Sequence, residues 1–296
     1  MLKKFKPYMM PFAMTLGAIF YQFFTSLSAL IPYLIFTMLF LTYCKLKLSD
    51  IRLSRMHFWL ILIQVVGSLA AYLIISPFNT TLAQGIMICI LAPTATSAPV
   101  ITGMLKGNVE SLTAYSLLSN LSVAVVAPVF FSLVGTNQSH PFIESFAGII
   151  QPMSLLMLLP LVSALLLRKV SPSFVRKVSL HSGVSFYLWS IALMIVTGIT
   201  VGFVIQQSGS SYTTEILIAL GALVVCLSQF LVGRRIGKKY NDTVAGGQGL
   251  GQKNTILAIW MAQTYLNPIA SIGPGAYVLW QNLVNSYQVW KKRKSL

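Results

Sequence analysis

The stretch Gly246-Gly247-Gln248-Gly249-Leu250-Gly251-Gln252-Lys253-Asn254 decides how this chain is interpreted. It lies inside an otherwise apolar segment, and its four glycines in six residues weaken a helix by about 1 kcal/mol each. It also places an ionisable side chain, Lys253, among hydrophobic residues. An ionisable group at membrane depth is energetically expensive and usually lines a cavity or an ion pathway. We therefore place the functional centre of the protein in this stretch.

The composition indicates an integral membrane protein. Hydrophobic residues make up 56% of the chain and charged residues 9%, with a mean hydropathy of +0.77. A soluble domain carries about 25% charged residues. Because a spanning helix needs about 20 apolar residues, 296 residues accommodate roughly ten spans with short loops and no separate soluble domain.

Ten apolar segments are predicted to be transmembrane helices, numbered here as spans one to ten. They cover residues 8–25, 28–44, 56–76, 82–104, 109–134, 145–167, 182–206, 214–233, 243–264 and 268–290. The predicted halves, 1–134 and 135–296, hold five spans each. Because five is an odd number, repeated halves must be inverted relative to each other in the membrane, as is common in secondary transporters. The predicted fold is therefore all-α, with ten transmembrane helices in two inverted five-helix repeats within one membrane domain.

Basic residues determine the predicted orientation. Of the 21 Lys and Arg, all except Lys253 fall in tails and loops that these spans place on one side of the membrane. The positive-inside rule assigns that side to the cytoplasm. We expect cytoplasmic termini and a bacterial inner (plasma) membrane location. A net charge of +16 could also indicate nucleic acid binding. Small basic clusters in loops instead favour the lipid bilayer as the partner, with no nucleic acid.

A second helix break is predicted at the matching place in the first half. Span four contains residues 91–99, Leu-Ala-Pro-Thr-Ala-Thr-Ser-Ala-Pro, and prolines six residues apart cannot both lie in an unbroken helix. Interrupted helices at corresponding positions are the best sequence indicator of a transporter binding site. Half-helix N-termini there would offer a positive dipole end to an anion. The polar side chains predicted to bind substrate are Thr94, Thr96, Ser97, Gln248, Gln252 and Asn254. The alternative is a pair of kinked helices without a ligand.

Short motifs along nearly the whole chain resemble those of the bile acid:sodium symporter family. They are Lys47-Leu48-Ser49-Asp50, Ala92-Pro93, Lys106-Gly107-Asn108, Leu159-Pro160, Gly251-Gln252-Lys253-Asn254 with Leu257-Ala258, Gly273-Pro274-Gly275-Ala276 and Trp280-Gln281-Asn282. The resemblance implies ten helices in two inverted repeats, with the fourth and ninth helices unwound where they cross. It also implies transport of an organic anion.

The chain departs from this family at the positions that bind two sodium ions. The corresponding positions here are Gln64, Ala98, Pro99, Ser116, Gly249 and Lys253. The family's glutamate is replaced by Gly249, or by Gln248 if the register shifts by one. Hard cations need several oxygen ligands, carboxylates above all. We therefore predict no metal site and no other cofactor. Instead, the Lys253 ammonium is expected to take the place of a sodium ion, with Gln64, Ser116 or backbone carbonyls as acceptors.

The favoured function is a secondary active transporter of a small organic anion that works by alternating access without sodium coupling. A buried lysine can exchange its proton during the cycle, which would couple transport to protons. A permanently charged lysine would instead give a uniporter or an exchanger.

Other functions are weighed against this one. They are a drug/metabolite-type ten-helix exporter with continuous fourth and ninth helices, a sodium-coupled organic anion symporter, and a sensor or channel without stoichiometric turnover. Lys253 could also extend to the membrane surface, as long basic side chains do. An enzyme is not expected, because the sequence has no HExxH motif and its three histidines fall near span ends or in loops.

Overall fold

The computed structural model describes residues 9–44, 52–95, 97–135, 142–180, 184–206 and 212–294. In this part of the chain, regular structure is helical apart from one isolated β-bridge. The helices are α1 (Met9–Ile19), α2 (Tyr21–Ser26), α3 (Ile31–Tyr43), α4 (Arg55–Ile75), α5 (Thr80–Leu91), α6 (Ala98–Met104), α7 (Val109–Val134), α8 (Phe142–Val170), α9 (Pro172–Leu180), α10 (Val184–Gln206), α11 (Thr213–Lys239), α12 (Thr243–Gly251), α13 (Thr255–Tyr265) and α14 (Ile272–Lys294), with short 3-10 helices at Ser28–Leu30 and Pro268–Ser271.

Among the described residues, three helices are long and apolar enough to cross a membrane, which indicates a membrane protein. They are α4, α7 and α11, with 21, 26 and 27 residues, and each exceeds the roughly 20 residues that a span requires. Apolar side chains on all three are exposed, for example Val66 at 53%, Val125 at 64% and Val224 at 65%. Each of the ten predicted segments overlaps one helix or a pair of helices. That all ten cross the membrane stays a prediction.

The chain forms two compact units, 1–46 with 154–211 and 47–153 with 212–296. Each unit therefore combines segments from both predicted halves. In the first unit, α10 packs against α1, α2 and α3. Two glycines allow this close approach, since a Cβ atom at Gly198 would lie 2.8 Å from Phe24 Cβ and one at Gly17 would overlap the Met194 carbonyl oxygen.

The second unit contains both helix breaks. The segment predicted as span four is interrupted between Leu91, where α5 ends, and Ala98, where α6 begins. The segment predicted as span nine is interrupted at residues 252–254, between α12 and α13. Pro93 has no amide hydrogen to continue α5, and Pro99 lies in the first turn of α6, where a proline is tolerated. Asn254 begins α13 by accepting a hydrogen bond from the Leu257 amide at 3.3 Å. Breaks thus occur at both predicted positions.

Close packing of α11 on α12 positions the second break. Gly233 and Gly237 of α11 face Gly246 of α12, and a Cβ atom at Gly246 would lie 2.8 Å from the Gly237 Cα atom. Near its end, α12 packs Gly251 directly on the ring of Phe230, which lies in α11. The glycines that weaken this segment as a helix therefore also allow it to lie against its neighbour.

Candidate functional site

The two helix breaks contact each other through their backbones. Thr94 and Lys253 form an isolated antiparallel β-bridge. Beside it, the Ala95 amide donates to the Gln252 carbonyl at 2.9 Å, and the Asn254 amide donates to the Pro93 carbonyl at 2.7 Å. Breaking a helix in lipid frees backbone groups that protein must satisfy, and each break satisfies part of the other. We call residues 92–95, 97 and 252–254 the crossing.

The carbonyl groups from Cys89 to Pro93, at the end of α5 and in the break that follows it, all have hydrogen-bond donors. The donors are Gln229 Nε2 for Cys89 (3.3 Å), Lys253 Nζ for Ile90 (2.8 Å), Gln64 Nε2 for Leu91 (2.7 Å) and Ala92 (3.0 Å), and the Asn254 amide for Pro93 (2.7 Å). Carbonyl groups in the last turn of a helix have no partner within the helix. Side chains from α4, α11 and the second break therefore supply the hydrogen-bond donors that the end of α5 lacks.

Lys253 is the cation of the crossing. Its side chain is only 1% exposed, and its ammonium donates to the Ile90 carbonyl. This carbonyl lies in the last turn of α5, where the helix dipole is negative. No acid in the described ranges forms an ion pair with Lys253, so its partners there are neutral. Its burial also excludes the alternative in which the side chain extends to the membrane surface.

Gln64 has no capacity left for an ion. It is fully buried, and its amide nitrogen donates to two carbonyls at the end of α5. Its Oε1 atom accepts hydrogen bonds from the hydroxyls of Tyr115 at 2.8 Å and Ser119 at 3.0 Å. Because an amide oxygen has two lone pairs, both are occupied. Gln64 therefore accepts nothing from Lys253, which uses a backbone carbonyl instead.

Ser119, rather than the predicted Ser116, reaches the crossing. The Ser119 hydroxyl accepts a hydrogen bond from the Thr94 amide at 3.2 Å. Within the described residues, no hydrogen bond joins the Ser116 side chain to the crossing, and the Ser116 carbonyl accepts from Asn120 at 2.7 Å. The two serines lie three residues apart on α7, so a sequence match alone does not distinguish which of them faces the break.

The predicted substrate-binding residues divide into a buried set and an accessible rim. Thr94 is buried and donates to the Gly249 carbonyl at 2.9 Å. Gln252 is buried and donates to the exposed Ser97 hydroxyl at 2.9 Å, while its Oε1 atom has no partner. Asn254 is half-buried. The rim of the crossing thus consists of Ser97 and Asn254; Thr96 lies outside the described residues.

Gln248 belongs to a separate polar cluster. Its amide nitrogen donates to Asn285 Oδ1 at 3.0 Å and to Gln288 Oε1 at 3.2 Å, both on α14. Two atoms of this cluster, Gln248 Oε1 and Asn285 Nδ2, are buried without a partner. The structure therefore does not place Gln248 beside Ser97 and Asn254.

Gln281 holds the backbone of the lysine from both sides. Its Oε1 atom accepts from the Lys253 amide at 2.8 Å, and its Nε2 atom donates to the Lys253 carbonyl at 3.3 Å. The neighbouring Tyr277 hydroxyl donates to the Gly251 carbonyl at 2.9 Å. Sequence reasoning did not predict either residue, although Gln281 lies in the Trp280-Gln281-Asn282 motif that the family resemblance includes.

The other positions predicted to correspond to the family's ion ligands, Ala98, Pro99 and Gly249, are closely packed. Ala98 is fully buried at the start of α6, beside Pro99, and its amide donates to the Ala95 carbonyl at 3.1 Å. A Cβ atom at Gly249 would lie 2.7 Å from a ring carbon of Tyr115. A glutamate therefore could not occupy position 249 without displacing that ring.

The part of the chain that the structure describes contains no group of three His, Cys, Asp or Glu side chains that could hold a metal ion. Comparisons with protein-family models and with curated proteins find no match to this chain.

Proposed function

We propose that this protein is a secondary active transporter of a small organic anion, working by alternating access with Lys253 as the cation of its site. One observation carries the proposal: a buried ammonium with neutral partners lies where two broken helices meet. An unpaired charge in such a place is costly and usually functional. An anionic substrate is the partner that would compensate it.

The rim of the crossing is the proposed contact surface for the substrate. The Ser97 hydroxyl is exposed, and the side-chain nitrogen of Asn254, Nδ2, makes no hydrogen bond to a described residue. Lys253 acts from behind this rim through its positive charge, because charges attract more strongly away from water. Thr94 and Gln252 support the rim by linking the two breaks.

Two features of the site support transport without sodium. Gln64 has both lone pairs of its side-chain oxygen occupied. Position 249 has no space for a carboxylate beside Tyr115. The bile acid:sodium symporter family remains the proposed relative, with the ammonium in the place of a sodium ion. Coupling to protons, or uniport and exchange, are the two alternatives for Lys253.

The composition of the two units supports the proposed inverted repeat. The first unit contains spans one, two and seven and most of span six. The second unit contains spans three to five and spans eight to ten. Equivalent spans of the two halves thus fall in the same unit, as repeats would require. The helix breaks favour this fold over a drug/metabolite-type exporter, which needs continuous fourth and ninth helices.

Uptake into proteoliposomes tests the proposal. A panel of small carboxylates would be offered to the wild type, to Lys253→Gln and to the matched control Lys239→Gln, an exposed lysine at the end of α11. We expect saturable carboxylate uptake by the wild type and the control, and its loss in Lys253→Gln. Saturable binding without uptake would indicate a sensor, and passive conductance would indicate a channel. Either result, or full activity of Lys253→Gln, would contradict the proposal.

A further inference from the structure

A groove of about 850 Å³ lies between α11 and α14. The Trp280 indole nitrogen donates to the Ala219 carbonyl at 3.1 Å, so the early parts of the two helices are adjacent. From this contact, the residues that line the groove continue along α11 as far as Arg234 and along α14 as far as Lys292. The two helices therefore run in the same direction along it.

The groove is apolar along most of its length and cationic at one end. Leu227 and Leu231 of α11 and Leu283 of α14 line the apolar part, and all three are exposed. The last lining residues of both helices are basic: Arg234, Lys291 and Lys292. No Asp or Glu is among the described residues that line it. The groove therefore matches a ligand with an anionic head and a hydrocarbon tail.

The length of the groove matches one leaflet of a bilayer. Trp280 and Lys291 are eleven residues apart on α14, and a rise of 1.5 Å per residue separates them by about 16 Å. Half of a hydrocarbon core about 30 Å thick is about 15 Å. The basic end also lies on the predicted cytoplasmic side, where the positive-inside rule expects it.

We propose that this groove is a specific site for one anionic phospholipid of the cytoplasmic leaflet. The phosphate lies among Arg234, Lys291 and Lys292, and an acyl chain follows the leucines towards the bilayer centre. Basic pockets between helices on that face are suited to lipid head groups. The charge at one end distinguishes this groove from an ordinary lipid-facing surface, which binds any lipid.

The walls of the groove contact the second broken helix. The ring of Phe230 lines the groove and packs against Gly251, the last residue of α12. Gln288 also lines it and accepts a hydrogen bond from Gln248. A lipid in the groove would thus stabilise the packing that holds α12 and the break that follows it.

Native mass spectrometry of the purified full chain tests the site. Palmitoyl-oleoyl phosphatidylglycerol, the corresponding phosphatidylcholine, and glycerol 3-phosphate would be titrated as probes. The test variant is Arg234→Gln/Lys291→Gln/Lys292→Gln. The control is Arg235→Gln/Lys238→Gln/Lys239→Gln, which removes the same charge from exposed residues outside the groove. Each cation contributes about fivefold to anionic lipid binding, so the test variant is expected to bind about 100-fold more weakly.

A second variant keeps the cations and blocks the apolar part. Leu227→Trp is expected to weaken phosphatidylglycerol retention even if the triple variant does not fold. Equal retention by Leu227→Trp and wild type would overturn the proposal, as would equal retention by the triple variant and its control. Three other results would also contradict the proposal. They are equally tight binding of phosphatidylcholine and phosphatidylglycerol, complete displacement of phosphatidylglycerol by glycerol 3-phosphate, and a second copy of the chain bound in place of lipid.

Discussion

Replacing Lys253 with methionine separates the stability of the crossing from its proposed function. Methionine has a similar unbranched side chain but carries neither a charge nor a hydrogen-bond donor. In the native protein, the ammonium is 1% exposed and donates to the Ile90 carbonyl at 2.8 Å. The substitution therefore removes one buried charge and one hydrogen bond at a position where the shape of the side chain is largely kept.

Two opposing contributions determine the change in unfolding free energy. Leaving the half-buried Ile90 carbonyl without a donor costs at most about 1–3 kcal/mol. Burying an ammonium away from water costs several kcal/mol, and in the part of the chain described, no carboxylate compensates Lys253. Because the second contribution is larger, Lys253→Met is expected to be as stable as the wild type, or more stable by about 2 kcal/mol. Carboxylate transport is expected to be lost.

Reversible unfolding in detergent micelles, run beside proteoliposome uptake, measures both effects. Lys253→Gln serves as the matched variant, because it keeps a hydrogen-bond donor on the side chain at position 253 and removes the charge. Lys253→Gln is expected to be more stable than both the wild type and Lys253→Met, and to be as inactive in transport as Lys253→Met. A loss of more than about 3 kcal/mol in Lys253→Gln would refute the reasoning, since it would show that the ammonium stabilises the fold. Wild-type uptake by either variant would refute the functional role.

Two further predictions concern the packing around the crossing. Gly251→Ala is expected to destabilise the protein by about 1–3 kcal/mol, because its Cβ atom would overlap the Phe230 ring. Gly275→Ala is the control that should be tolerated, because no neighbouring atom lies within 4 Å of the added carbon. Thermal unfolding of the two variants would show whether their stabilities differ. Gln64→Ala is expected to cost about 2–5 kcal/mol, because it leaves two buried carbonyls without donors. As the control, Gln22→Ala replaces an exposed glutamine and should change stability by less than about 0.5 kcal/mol. Equal unfolding free energies for Gln64→Ala and Gln22→Ala would contradict this account of the helix end.

The helix breaks could be predicted because their cause is local. Pro93 and Pro99 cannot both continue a helix, and the glycines before Lys253 weaken one. The meeting of the two breaks was expected only through the family resemblance, since no local pattern specifies which distant segments touch. The β-bridge between Thr94 and Lys253 supplies that contact.

The identity of the residues around the crossing depended on helix rotation, which sequence alone leaves open. Ser119 was missed in favour of Ser116, because serines three residues apart on α7 look equivalent until the packing of α7 is known. Gln248 and Gln252 lie one helical turn apart, yet only Gln252 bonds to Ser97. Hydrogen-bonding side chains are recognisable in a sequence, whereas the carbonyls that they satisfy are defined only by tertiary structure.

The ion dependence of uptake by the wild type tests the central claim most directly. Proteoliposomes would be given an inward sodium gradient, an inward proton gradient, or neither, with the same carboxylate outside. Lys253 in the place of a sodium ion predicts equal uptake with and without sodium, whether or not protons drive accumulation. Accumulation driven by sodium would contradict the account, because it would require an ion site that Gln64, Gly249 and Lys253 do not provide.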